Sequence, residues 1–226
     1  MWCLLIAAIG LLGVSSVAAE EGEPQARPSE SASPSNGQTE QKRVLTPEEA
    51  AEKEARKACK KKLCDIIATR DTEGDDVACD IVKTWREEDI VKMLGGRISW
   101  PWGKAVCQSK LEVKRKPLAL AMSEDRYEIA MPAQKVRCTL AQKGAGEPYV
   151  VELTLTPRAT FENGKAVAAS VNWGEASAPM LVYPLIYAGT ALDNSANVLG
   201  PEVVRMVNEF TTKKCAEMKV ELPSQP

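Results

Sequence analysis

Six cysteines constrain this chain more than any other feature. Seven occur in all, but Cys3 lies at the start of an apolar leader, which leaves Cys59, Cys64, Cys79, Cys107, Cys138 and Cys215. The leader, Met1–Ala19, has no charged side chain. Its apolar run from Leu4 to Val14 ends in small residues, with Val17 and Ala19 placed before Glu20. This is the pattern of a secretory signal peptide covering residues 1–19, although no Lys or Arg marks its first residues. The alternative is a retained membrane anchor, because the run approaches the roughly 20 residues that span a bilayer. Lipid attachment at Cys3 is not expected, since no apolar run precedes it.

Export would place the six remaining cysteines in an oxidising compartment, where an even number reads as three disulfides. A metal or redox role is the weaker reading. The chain has no Cys-x-x-Cys motif and no histidine, and the spacings fit no zinc or iron–sulfur pattern. Cys59 and Cys64 sit five residues apart on one predicted helix and point about 140° apart, so they should not bond to each other. Cys107 and Cys138 fall on the apolar faces of two predicted strands and form the first expected bridge. Cys64 with Cys79 would close the loop after the helix. Cys59 with Cys215 would then tie the first helix to the last. Each bridge should contribute about 2–4 kcal/mol.

The 226 residues carry 29 Lys+Arg against 31 Asp+Glu, a net charge of −2. That balance gives no electrostatic footprint for nucleic acid. The lack of histidine removes His general bases, Ser-His and Cys-His dyads, and His-ligated zinc or haem. No Asn-x-Ser/Thr sequon occurs, which favours a bacterial periplasm over a eukaryotic secretory route. The expected location is periplasmic or secreted.

Residues 20–45 are rich in Glu, Pro, Ser and Gln and poor in large apolar side chains, the composition of a disordered linker. It reads as a solvated tail, or as a spacer from a membrane or wall. The rest, 46–220, reads as one disulfide-braced α+β domain, with 221–226 as a tail.

Thr46-Pro47-Glu48-Glu49 opens a helix with a capping box and proline at the first position. The apolar line Ala51, Ala55, Ala58/Cys59, Leu63, Ile66/Ile67 has helical spacing, which leaves the pair Glu52–Arg56 for the outer face. The run Lys60-Lys61-Lys62 reads as a solvated face, offset by Glu48, Glu49, Glu52 and Glu54. Asp71–Asp76 holds four carboxylates around Gly74, but the spacing is not a calcium loop. A strand runs from Val77 to Trp85, and a short helix follows through Ile90–Leu94 up to Gly95-Gly96. Alternation then predicts strands at 105–113, 118–122, 127–131, 136–140 and 149–155. Inward parity shifts beyond Pro132, which predicts a bulge or bend. Asn163-Gly164 marks a hairpin, with Val167, Val171 and Trp173 on its return strand. The segment from Ala178 to Leu192 is a short helix or a covering segment. The last helix starts at Gly200-Pro201. The fold class is therefore α+β: an N-terminal helix, a short strand and helix, an antiparallel meander of about five strands, and a C-terminal helix packed on the sheet.

No catalytic motif is present, no cofactor or metal site is indicated, and the chain is read as non-enzymatic. The aromatic residues Trp85, Trp100, Trp102, Trp173, Tyr183 and Tyr187 are the candidate ligand-binding set. Trp100 and Trp102, two apart around Pro101, would lie on one side of an extended strand, and Tyr183 and Tyr187 would meet on one helix face. The leading functional expectation is a binding or envelope-associated protein that takes an unknown protein or cell-envelope component as partner. After cleavage of the leader it would not be an integral membrane protein. A carrier of an apolar small molecule, held between the sheet and the C-terminal helix, is the first alternative. A His-free glycan hydrolase built on paired carboxylates is the second.

Overall fold

The computed structural model describes residues 44–94 and 99–220. The leader, the linker up to residue 43, the Gly95-Gly96 stop and the 221–226 tail lie outside the described residues. The fold is α+β. Helix α1 (Pro47–Thr69) is followed by β1 (Val77–Trp85), α2 (Glu87–Leu94), β2 (Ala105–Val113), α3 (Arg115–Ser123), β3 (Arg126–Ala130), β4 (Gln134–Leu140), β5 (Tyr149–Leu155), β6 (Arg158–Glu162), β7 (Lys165–Ser170) and β8 (Trp173–Ser177). Helices α4 (Tyr183–Ala196) and α5 (Gly200–Glu209), a π-helical turn over Phe210–Lys214 and α6 (Cys215–Val220) complete it.

The larger sheet is antiparallel, in the order β1-β2-β4-β5-β8, and a smaller sheet has the order β3-β6-β7. The parity change at Pro132 is the point where the chain leaves the small sheet for the large one. Ile129 is buried on β3, and Gln134, Val136, Cys138 and Leu140 are buried on β4. One face of the large sheet carries Val77, Cys107, Leu111, Val136, Val151 and Leu153 into the core. The other carries Asp80, Lys110, Lys135, Arg137 and Glu152 outward, the alternation of a half-solvated antiparallel sheet.

Helices cover three sheet edges, each with a polar side chain on otherwise unpaired backbone. On β1, Glu52 of α1 accepts from the Thr84 N–H at 2.8 Å and the Thr84 hydroxyl at 2.6 Å, while Arg56 donates to the Val82 carbonyl at 2.5 Å. On β8, Asn194 of α4 accepts from the Trp173 N–H at 2.8 Å and donates to its carbonyl at 2.7 Å. On β7, Asn208 of α5 does the same for Ala166, at 2.9 Å each way. Covered edges cannot template pairing with another chain.

The Glu52 contacts revise the reading of α1. Its N-terminal alanines, Ala51, Ala55 and Ala58, are exposed. The inward stripe is Glu52, Arg56, Cys59, Leu63 and Ile66 instead. Alanine gains little by burial, whereas a carboxylate and a guanidinium satisfy a strand edge.

The disulfides are Cys59–Cys79, Cys64–Cys215 and Cys107–Cys138. The third matches expectation, with its cysteines directly opposite in the β2–β4 register. The other two correct the expected Cys64–Cys79 and Cys59–Cys215 pairings. Since Glu52 and Arg56 face β1, Cys59, at i+7 and i+3 from them, faces β1 as well and meets Cys79. Cys64, 140° further round, faces the C-terminal helix and meets Cys215.

Two further differences are local. The segment expected as a strand at 118–122 is helix α3, which buries Leu118, Ala119, Ala121 and Met122. Val167 is exposed, because a bulge between Thr160 and Phe161 pairs Phe161 with Ala166 and turns Ala166 inward instead. The hairpin turn at Asn163-Gly164 forms as expected, both residues having positive φ (49° and 76°), the geometry that favours Asn-Gly.

Candidate functional site

A cavity of about 170 Å³ lies between α1, the inner face of β1 and β2, the small sheet and the C-terminal helix. Its lining comes from seven separate stretches of chain. Helix α1 contributes Cys59, Leu63 and Ile67. The large sheet gives Ile81, Leu111 and Val113, and α3 gives Leu118. The small sheet and its flanks give Ile129, Met131, Ala159 and Phe161. Helix α5 and the π-helical turn close it with Val203, Met206, Val207 and Phe210.

Each of these side chains faces inward for a local reason. On β2, period-two alternation sends Leu111 and Val113 to the same side as Cys107. On α5 and at the start of the π-helical turn, Val203, Met206, Val207 and Phe210 recur at i, i+3, i+4 and i+7 and form one apolar stripe. The Cys59–Cys79 bridge holds α1 against β1 on one side of the space, and Cys64–Cys215 joins α1 to the C-terminal helix on another. The cavity wall is thus pinned by two covalent cross-links. Leu63, Ile67, Ile81, Val113 and Met131 are only half-buried, so the cavity opens to solvent. Engineered apolar voids of roughly 150 Å³ stay dry and accept benzene-sized guests. An apolar, open cavity of this kind is suited to an apolar guest rather than to water.

None of the six aromatic candidates lines this cavity. Trp85, Trp100 and Trp102 are half-buried and pack on a core cluster that includes Ile90, Ala105 and Leu140, with Trp85 opposite Ala105 at the other end of β1 from Val77. Trp100 and Trp102 meet edge to face at 4.8 Å, with the Trp100 indole donating to the Gly103 carbonyl at 2.9 Å. The Lys83 ammonium sits 4.9 Å from the Trp85 ring. Trp173 is buried, and its indole donates to Asp193 at 2.8 Å. Asp193, itself buried, also accepts from the Leu199 N–H at 2.8 Å. Tyr183 and Tyr187 do meet on one face of α4, stacked at 6.0 Å, but they face solvent. Around them Met180 (89% exposed), Leu181 (75%) and Leu185 form an uncovered apolar stretch. Periodicity marked Cys59, Leu63 and Ile67 on α1 and the strands that carry Ile81, Leu111 and Val113, but not Ala159 and Phe161 of β6, nor Val203, Met206 and Phe210. The gap between them depends on how seven segments meet, which no local pattern encodes.

Two of the four carboxylates of the 71–76 turn, Asp71 and Asp76, are engaged in local structure. Asp71 accepts from the Glu73 N–H at 2.9 Å. Asp76 accepts from the Arg115 N–H at 2.9 Å, at the start of α3, and pairs with Lys114 at 2.8 Å. These contacts hold the Asp76 carboxyl below the usual carboxylate range, the Lys114 hydrogen bond most of all. At the start of α1, Glu49 completes the capping box with Thr46 and also takes the Arg86 guanidinium, which pushes its carboxyl down to about 2. Among the described residues, no group of three or more potential ligands is placed to hold a metal ion. No described helix is long and apolar enough to cross a membrane. Comparison with protein-family models, with curated proteins and with solved structures finds no match for this chain.

Proposed function

We propose that this protein is an exported, non-enzymatic carrier of an apolar small molecule, held between α1, the sheets and the C-terminal helix. The cavity carries this reading: it is open and walled almost wholly by aliphatic and aromatic side chains. Three disulfides suit an oxidising compartment outside the cytosol. The uncharged leader supports periplasmic or secreted placement. Titration with N-phenyl-1-naphthylamine, an uncharged dye that brightens in apolar surroundings, tests the carrier reading. Saturable binding near one dye per chain is expected, with loss of binding in Ala159→Phe, which places a ring in the cavity. No saturable binding by the folded protein would refute it.

A second reading, attachment to an envelope component, is favoured by one observation. The stretch from Ala176 to Leu192 holds no charged residue and exposes Met180, Leu181, Leu185 and Tyr187. The two readings are compatible, since a carrier has to meet its source. A Leu181→Glu, Leu185→Glu double variant that retains dye binding but no longer sediments with envelope fractions would support attachment. Unchanged sedimentation would count against it.

A further inference from the structure

We infer that the guest is a single-chain amphiphile with an anionic head, and that Lys60 receives the head. This rests on the carrier reading and adds a charge requirement to it. Among the described residues, every ionisable side chain on the cavity wall is cationic (Arg56, Lys60 and Arg158), and no carboxylate lines the cavity. Two of the three cations already have partners. Arg56 is committed to Glu52 and to the Val82 carbonyl, and Arg158 pairs with Glu128 at 3.3 Å. Lys60 is half-buried and has no ion pair among the described residues.

Its position on α1 explains why it differs from its neighbours. Lys60 follows Cys59, which is locked to Cys79, and stands one turn beyond Arg56. Lys57, Lys61 and Lys62 are exposed, whereas Lys60 is drawn to the cavity edge beside Leu63. The lysine run therefore contains one ammonium set apart for the cavity. A long side chain lays its methylenes along an apolar wall and keeps its charge at the edge. A guest with an apolar tail and an anionic head is the complement of that arrangement. A carboxylate and a phosphate share this chemistry.

Calorimetric titration of the disulfide-bonded protein with decanoate, decyl phosphate and decanol, each below its aggregation threshold, tests the inference. Decanoate or decyl phosphate should bind at least tenfold more tightly than decanol, a preference that weakens with added salt. The tighter of the two anions identifies the head. Lys60→Gln should bring the anions to within about twofold of decanol while leaving decanol affinity and melting temperature unchanged. Arg158→Gln should cost the anions less than Lys60→Gln does. Equal affinity for decanol and both anions, or an anion preference that survives Lys60→Gln, would overturn the inference and leave the carrier reading standing. Failure of all three ligands to bind would overturn both.

Discussion

Glu52 on α1 accepts two hydrogen bonds from Thr84 on the edge strand β1, one from the backbone and one from the hydroxyl. Its carboxylate takes the place of a missing neighbouring strand. Glu52→Ala would leave the half-buried Thr84 N–H without a partner and free Arg56 from its counter-ion. A loss of about 2 kcal/mol is expected in urea unfolding. Glu52→Gln, which keeps one acceptor, should lose less. Equal stability of all three proteins would show that β1 does not depend on this contact.

The cross-links should differ in value according to the loops they close. Cys64–Cys215 spans 151 residues, Cys107–Cys138 spans 31 and Cys59–Cys79 spans 20. Chain-entropy arithmetic gives about 5, 4 and 3 kcal/mol in that order. Paired Cys→Ala variants, unfolded in urea, should follow this ranking. Peptide mapping without reduction should recover these three linked pairs, and full reduction should add six hydrogens to the mass. A Cys64–Cys79 linked peptide would contradict the placement of α1.

Acid should weaken the start of α1. The folded carboxyl of Glu49 lies at about 2, below its ordinary value of 4.5, because Arg86 donates to it. A lowered carboxylate stabilises the fold fully above its unfolded pKa, and that stability is lost as pH falls through the folded value. The stability of the wild-type protein should therefore fall between about pH 4.5 and 2 more steeply than that of Glu49→Gln. Asp76, held down by Lys114 and the Arg115 N–H, adds a loss of the same sign. Identical pH profiles for the wild type and Glu49→Gln would contradict the role given to the Glu49–Arg86 pair.

Filling the cavity should cost little stability. Ala159→Phe adds a ring to space that is already apolar, so burial gain and packing strain should nearly cancel. Its unfolding free energy is expected within about 1 kcal/mol of wild type. A loss of several kcal/mol would mean that the space is too small for a guest.

Much of the architecture was readable in the residues themselves. Thr46, Pro47 and Glu49 marked the start of α1, and Asn163-Gly164 marked the hairpin. Period-two alternation placed β1, β2, β4 and β5, and with them the Cys107–Cys138 bridge. The errors arose where local patterns are degenerate. Leu118-Ala119-Leu120-Ala121-Met122 alternates like a strand, and only Pro117 in the first turn hinted at helix α3. Three alanines outnumber one Glu–Arg pair in α1, which hides its true inner face, and loop closure alone favours Cys64 for Cys79 until that face is known. The aromatic residues were legible as unusual, but Trp85, Trp100 and Trp102 pack at the opposite end of the sheet from the cavity, Trp173 is buried against Asp193, and Tyr183 and Tyr187 face solvent. Lys60 was indistinguishable from its neighbours until the helix was set against β1.

Native mass spectrometry of the protein recovered from its native host tests the central claim most directly. A one-to-one complex with an amphiphile is predicted, released intact by organic solvent and missing from Ala159→Phe prepared in the same way. A bare chain that also fails to take up decanoate, decyl phosphate or decanol when mixed with them would contradict it.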